Sequence, residues 1–367
     1  MKGSTRLEEK RIDLLVPFVA VLTALVFGFI LIILTGGDAF KGYQNLFAGM
    51  GLWPDRAQLF RLARSLENAS VLALTGLSVA LAFRCGLFNI GVEGQFLVGA
   101  ISAAYFGILL DLPSFITIPL ILVISFIHGG LWASIATYLK LKRGVHEVIS
   151  TIMLNWVALN LIENYLVVGP LKVPADPGVV VPTGTHTINA TAQLWSIIPA
   201  IGLKVDIIIA LLATIAIYLL LFRTSLGYEI RAVGYNQEAS RYSGINVDRT
   251  MFIAMFISGG LAAISGAVLV MSVLHCYPAV FRPGYGFEGI AMALVGNTTP
   301  FGVLSAGLFF GGVRQGAAMM QLVGIHKSFA DILQALAVIF VAAQGIIRYL
   351  LIKYAKPITA TAVAEDV

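Results

Sequence analysis

Arg84-Cys-Gly-Leu-Phe-Asn-Ile-Gly-Val-Glu-Gly-Gln-Phe-Leu-Val-Gly99 lies between two apolar runs and departs from both. Gly86, Gly91, Gly94 and Gly99 each lower helix propensity by about 1 kcal/mol relative to alanine. Asn89, Glu93 and Gln95 set two amides and a carboxylate beside or inside hydrocarbon, where a carboxylate costs roughly 3 kcal/mol on insertion scales. Such groups, and irregular backbone at membrane depth, persist where they face protein or line a cavity. One reading is a plain helix–helix turn in which Glu93 caps the start of the following span. The other makes the whole cluster the working centre of the chain.

Working outward, composition fixes the class. The 367 residues are 58% hydrophobic and 12% charged, and the mean hydropathy is +0.90. Soluble domains carry about 25% charged residues, so an all-α polytopic membrane protein is expected. No polar block is long enough for a separate soluble domain, so residues 1–367 read as a single transmembrane domain. The net charge of +5 sits mostly in short loops between spans, which is an orientation signal and not a nucleic-acid signature. Cys85 and Cys276 have no metal-ligand spacing, and no histidine accompanies them in a metal or nucleophile pattern. A membrane-embedded enzyme is therefore not expected. The first apolar run, 12–34, exceeds a signal-peptide core and has acidic flanks, so it reads as a retained span.

The apolar periodicity predicts spans near 12–35, 66–83, 93–111, 115–139, 146–168, 204–222, 250–273, 285–297, 301–322 and 329–350. The eighth is too short to cross as a helix alone at 1.5 Å per residue. Counting it as a crossing places Lys2 to Arg11, Arg84, Lys140 to Arg143, Arg223 to Arg249 and Arg348 to Lys356 on one face. The positive-inside rule then gives about ten transmembrane helices with both termini cytoplasmic. Segment 36–65 is expected to include an interfacial helix bearing Tyr43, Phe47 and Trp53, and 169–203 an ordered external loop or lid.

In the fifth span Glu147, Thr151 and Asn155 recur at four-residue steps with Ser150 nearby, a polar stripe on one face. Dipole capping by Glu147 and back-bonding by Thr151 would explain part of it; Asn155 points to a pathway. Small-residue ladders in the seventh and ninth spans read as packing faces. Arg314 interrupts the ninth, with Asp331 opening the tenth as one possible partner. Phe83-Arg84…Glu93-Gly94…Leu97-Val98-Gly99 is echoed by Phe281-Arg282…Glu288-Gly289…Leu294-Val295-Gly296, as inverted repeats with interrupted helices near 84–95 and 283–297 would be.

Segment 223–249 reads as two short helices, the first near 226–233 and stopped by Gly234, the second N-capped by Asn236 and closed by Gly244. Its charges and tyrosines (Tyr228, Glu229, Arg231, Glu238, Arg241, Tyr242) describe a docking knuckle for a cytoplasmic partner, or else a loop lying on headgroups.

FRCGLFNIGVEGQFLVGA at 83–100, GVHEVISTIMLNW at 144–156, RAVGYNQEASRYSGI at 231–245 and GFEGIAMALVGN at 286–297 together resemble permease subunits of type II ABC importers. They are most like the nucleoside permeases that work with basic-membrane-protein-type lipoproteins, relatives of ribose and branched-chain amino-acid permeases. The resemblance runs from the second span to the tenth and leaves 36–65 unmatched. It implies a bacterial plasma-membrane location and a set of partners: a cytoplasmic ATPase docking on 223–249, a second related permease (a heterodimer over a homodimer) and an external binding lipoprotein. ATP and Mg would be bound by that ATPase; with no G-x-x-x-x-G-K-S/T anywhere, this chain is not expected to carry them or to be an enzyme. The implied cargo is a small neutral nucleoside. A path of Phe88, Asn89, Glu93, Gln95, Glu147, Thr151, Asn155, Glu288 and Asn297 supplies amides, hydroxyls and a ring that suit it. The alternatives are the same importer class carrying a simple sugar such as ribose, or a stand-alone ion-coupled transporter using Glu93, Glu147 and Glu288.

Overall fold

The computed structural model of the chain describes residues 19–172, 184–326 and 328–343. Within them, the long apolar stretches all become helix. In chain order these are α1 (Val19–Leu34), α2 (Ala39–Gly49), α3 (Gln58–Arg84), α4 (Val92–Leu109), α5 (Ser114–Arg143), α6 (Glu147–Leu161), α7 (Asp206–Arg223), α8 (Ser225–Tyr235), α9 (Gln237–Tyr242), α10 (Val247–Leu269), α11 (Tyr285–Val295), α12 (Pro300–Met320) and α13 (Phe329–Ala342). π turns extend α6 over Ile162–Val167 and α10 over Val270–Leu274. Strands β1 (Ser196–Ile198) and β2 (Leu203–Lys204) form one small antiparallel hairpin.

The class is all-α and polytopic. Five helices, α3, α4, α5, α7 and α10 with its π turn, are long and apolar enough to cross a membrane, and α1, α11 and the part of α13 over Asp331–Val341 are shorter apolar helices. The expected start of the first span at residue 12, the end of the last at 350, residues 173–183 of the proposed lid and the basic groups near both termini lie outside the described residues. The helix expected from 66 starts at Gln58 instead, and its added turns hold Arg64, which pairs with Glu67 at 2.7 Å. The eighth segment is a true helix, α11, set off by non-helical chain at 275–284 and 296–299.

Two compact units are present, one of residues up to Phe47 and from Gly316 on, the other Ala48–Gln315. In the first, Tyr43 does not sit outward as an interfacial aromatic: its hydroxyl donates to the Leu25 carbonyl at 2.5 Å and its ring meets Phe29 and Phe329. In the second, α10 packs on α3, α4 and α5, and α11 packs on α3. Glycine makes this approach possible: a Cβ on Gly99 would lie 2.0 Å from the Ala263 carbonyl oxygen, and one on Gly266 2.0 Å from that of Phe96. The glycine ladders are packing faces.

Candidate functional site

α3 stops at Arg84, and Gly86 takes the left-handed conformation (φ 72°) that closes helix ends without steric cost. The chain then runs irregularly to α4, and side chains satisfy the backbone that the break leaves open. Asn89 and Gln95 exchange amide hydrogen bonds of 2.9 and 3.0 Å. Asn89 also donates to Ser258 Oγ at 2.9 Å and accepts from the Gly91 N–H at 3.0 Å. From α6, Asn155 accepts from the Gly94 N–H at 2.8 Å and donates to the Ile90 carbonyl at 2.9 Å. All three amides are buried.

Glu93 departs from the capping reading of its sequence. It does not cap its own helix: its carboxylate accepts from the Gly284 N–H at 3.0 Å and the Gly286 N–H at 2.7 Å. These donors open α11, where an anion is favoured by unsatisfied N–H groups and the helix dipole. Gly286 permits it, since a Cβ there would stand 2.3 Å from the Glu93 nitrogen. Its sequence echo, Glu288, is bound differently. It pairs with Arg314, whose guanidinium also lies 4.1 Å from the Tyr285 ring centre and donates to the Pro283 carbonyl at 3.3 Å.

The stripe of α6 faces inward. Glu147 is buried and paired with Lys140 at 2.6 Å, and Thr151 bonds back to the Glu147 carbonyl at 2.7 Å. Phe88 is 40% exposed, with its ring stacked on Phe83 at 4.8 Å. Asn297 is exposed with φ 51°, and Arg84 binds the carbonyls of Asn297 and Thr298 at 3.4 and 3.0 Å. The structure thus gathers Asn89, Glu93, Gln95, Thr151 and Asn155 around one helix break and leaves Phe88 and Asn297 open.

In 223–249 both caps form: Thr224 accepts from the Gly227 N–H at 3.1 Å and Asn236 from the Ala239 N–H at 3.0 Å. Gly244 takes φ 83° after α9. Gly234 is not a stop; it lies within α8, and a Cβ on it would meet the Arg84 carbonyl oxygen at 2.1 Å. Glu229 accepts from Thr250 Oγ1 at 3.2 Å, and Arg231 lies over Phe222 and donates to the Gly227 carbonyl at 3.3 Å. Exposed instead are Tyr228, Tyr235, Glu238 and Tyr242, along with an Arg241–Asp248 pair at 3.2 Å.

Sequence reading passed over a second polar cluster. Glu67 is buried within α3 and Asp206 at the first residue of α7; Lys204 lies 3.8 Å from Glu67 Oε1 and donates to the Ser272 carbonyl, and Ser272 Oγ meets Asp206 at 3.3 Å. The signal was present, since acidic residues inside apolar helices need partners. Nearby, burial pushes the Cys276 thiol up, and burial with the Lys204 charge holds the His275 imidazole below its usual value.

The chain matches the family described as branched-chain amino acid transport system / permease component over residues 61–342. It is 36% identical to the guanosine ABC transporter permease protein NupP of Bacillus subtilis, over 94% of this chain and 97% of that one. It is 32% identical to the nucleoside ABC transporter permease protein NupB of Lactococcus lactis, over 97% of each chain. To the glucose ABC transporter permease protein TsgB13 of Haloferax volcanii it is 32% identical, over 88% of this chain and 86% of that one. The first two organisms each hold a second relative, NupQ and NupC, 26% identical to this chain over 74% and 76% of its length. No solved structure matches the chain. The helical architecture, the span-breaking polar cluster and these near-full-length likenesses lead to one assignment: the chain belongs to the permease components of the branched-chain amino acid transport type.

Proposed function

We infer that this chain is the membrane-spanning permease subunit of an ATP-binding-cassette importer for nucleosides, a transport subunit and not an enzyme. The observation that carries the inference is its near-full-length likeness to NupP and NupB. A second, related permease completes the membrane part, since Bacillus subtilis and Lactococcus lactis each hold a pair of such relatives. The finer assignments are proposals. The assembly sits in the plasma membrane with the basic end of α5 on the cytoplasmic side. A separate ATPase binds ATP and Mg and docks on α8 and α9, and an external lipoprotein delivers the solute. Closure of the ATPase would press α8 against Arg84 and Gly86, where Gly234 already touches. Phe88 and Asn297 face the route; Asn89, Glu93, Gln95, Glu147, Thr151, Asn155 and Glu288 shape its wall by holding the helices around the break.

The likeness to TsgB13 favours a second reading, a hexose as cargo. The two separate in proteoliposomes holding this chain with its companion permease, ATPase and binding lipoprotein. Labelled guanosine, uridine, glucose and ribose are offered with ATP enclosed on the ATPase side. The expected result is ATP-dependent uptake of nucleosides alone. Uptake of sugars alone would replace the nucleoside reading and leave the importer reading standing.

A further inference from the structure

We propose that the outward face of α6, carried by Trp156, Asn160 and Asn164, lines the aqueous route and contacts the nucleoside in passage. The proposal rests on the nucleoside-permease reading and names a surface that the polar cluster of the break does not include.

α6 and its π turn run from Glu147 to Val167, about 30 Å at 1.5 Å per residue and enough to cross hydrocarbon. One end is tied to α5 through Glu147 and Lys140. The other meets the segment before α11, where Glu163 accepts from the Phe281 N–H at 3.0 Å. The helix packs on α4 and α5, and its stripe of Glu147, Thr151 and Asn155 is spent on that packing. The opposite face is open: Met153, Trp156, Asn160 and Asn164 are all exposed.

That face differs from the lipid-like faces of the neighbouring helices. On α5 the exposed side chains of its middle turns include Leu120, Val123, Ile127, Leu131 and Ile135, all apolar. α6 exposes Ile149, Met153, Val157 and Leu161 as well, but among them it presents two amides. Asn160 Nδ2 donates to the Trp156 carbonyl at 2.8 Å, and Asn164 Nδ2 donates to Asn160 Oδ1 at 3.2 Å. Asn164 Oδ1 and one N–H of each amide then have no partner among the described residues. Asn160 stands about 20 Å from the start of this helix and about 10 Å from the end of its π turn, so a crossing helix holds it within the apolar layer, where polar groups facing lipid are strongly disfavoured. Trp156 stands about 14 Å along, far from the headgroup level where exposed tryptophans usually sit. The adjoining π turn is a geometry found disproportionately at functional sites.

Water and a polar solute satisfy these amides; lipid does not. Two neighbouring amides with unused donors and an acceptor match a base edge or ribose hydroxyls. The Trp156 indole, four residues before Asn160 and on the same face, offers a flat apolar surface for stacking.

The test uses the reconstituted complex described above. Asn160→Leu, Asn164→Leu and Trp156→Leu are each expected to lower nucleoside uptake about tenfold or more, the factor that corresponds to about 1.4 kcal/mol, while the chain still co-purifies with its companion permease and ATPase. In a Cys276→Ser background, with Cys85 buried, Met153→Cys and Asn164→Cys are expected to react with a charged, membrane-impermeant methanethiosulfonate and to be protected by nucleoside. Parental uptake in the leucine variants, or thiols that stay unreactive, would return the face to lipid and overturn the proposal. Loss of the companion permease from the leucine variants would make the face a subunit contact, and also overturns it. A parental complex that carries only hexoses defeats the nucleoside reading by itself. The labelling result then still decides whether the face is aqueous.

Discussion

Glu93 holds two N–H groups that lie 191 and 193 positions later in the chain. A buried carboxylate is retained here because it closes the start of α11, and the two glycine donors let the backbones approach. Each buried N–H left without a partner costs roughly 1–3 kcal/mol. Glu93→Ala strands both, whereas Glu93→Gln keeps one acceptor oxygen. The expected order of thermal unfolding midpoints in detergent is parent, then glutamine, then alanine, with uptake falling in the same order. An alanine variant as stable as the parent but unable to transport would make Glu93 a solute contact instead. The chemistry of the break was legible: glycines, amides and a carboxylate at membrane depth marked a place where helices stop. The partners were not. A four-residue step shows which residues of α6 share a face, but not whether that face turns toward α4 or away, so Asn155 was readable as polar and not as a clamp on Gly94 and Ile90.

The knuckle shows the same division between local and distant information. Its caps were legible because an N-cap is chosen by the side chain a few positions away, as Asn236 and Ala239 demonstrate. Gly234 looked like a helix stop, but its role is a backbone contact with Arg84 that only the packed structure reveals. Glu229 and Arg231, the expected cross-partner charges, are engaged within the chain, by Thr250 and by Phe222 and Gly227. The open surface of the proposed docking helices carries Tyr235, 87% exposed, and Tyr242, 94% exposed, beside Glu238 and the Arg241–Asp248 pair. Exposed tyrosines are common anchors of interfaces. Tyr235→Ser and Tyr242→Ser are therefore expected to weaken co-purification of the ATPase severalfold with no change in the chain's unfolding midpoint. Arg231→Glu is expected to lower that midpoint. Gly234→Ala is expected to lower stimulated ATP hydrolysis, since its Cβ must displace the Arg84 carbonyl. Co-purification at parental levels in both tyrosine variants would move the docking surface elsewhere.

Across the whole molecule, the question is what drives the solute. An ion-coupled carrier needs an intramembrane carboxylate whose partner can be exchanged for a proton or a cation. The three carboxylates that the sequence offered such a carrier are committed to protein partners: Glu93 to two backbone N–H groups, Glu147 to Lys140, and Glu288 to Arg314. Each joins two helices or a helix and a loop, so releasing one would loosen packing as well as free a charge. That arrangement suits a permease moved from outside itself through α8, which touches Arg84 by way of Gly234, while Arg84 reaches across to Asn297 and Thr298. The contacts form one continuous route from the proposed docking helices to both helix breaks, along which coupling between the two can be carried. In the proteoliposomes described above, ionophores that collapse proton and sodium gradients are thus expected to leave nucleoside uptake at its parental rate while enclosed ATP is held constant. Removing ATP with the gradients intact is expected to abolish it. The reverse pattern, uptake that survives without ATP and vanishes with the gradient, would mean that at least one of the three carboxylates exchanges its partner during transport. Conservative variants Glu93→Gln, Glu147→Gln and Glu288→Gln would then identify it by which of them abolishes the gradient dependence.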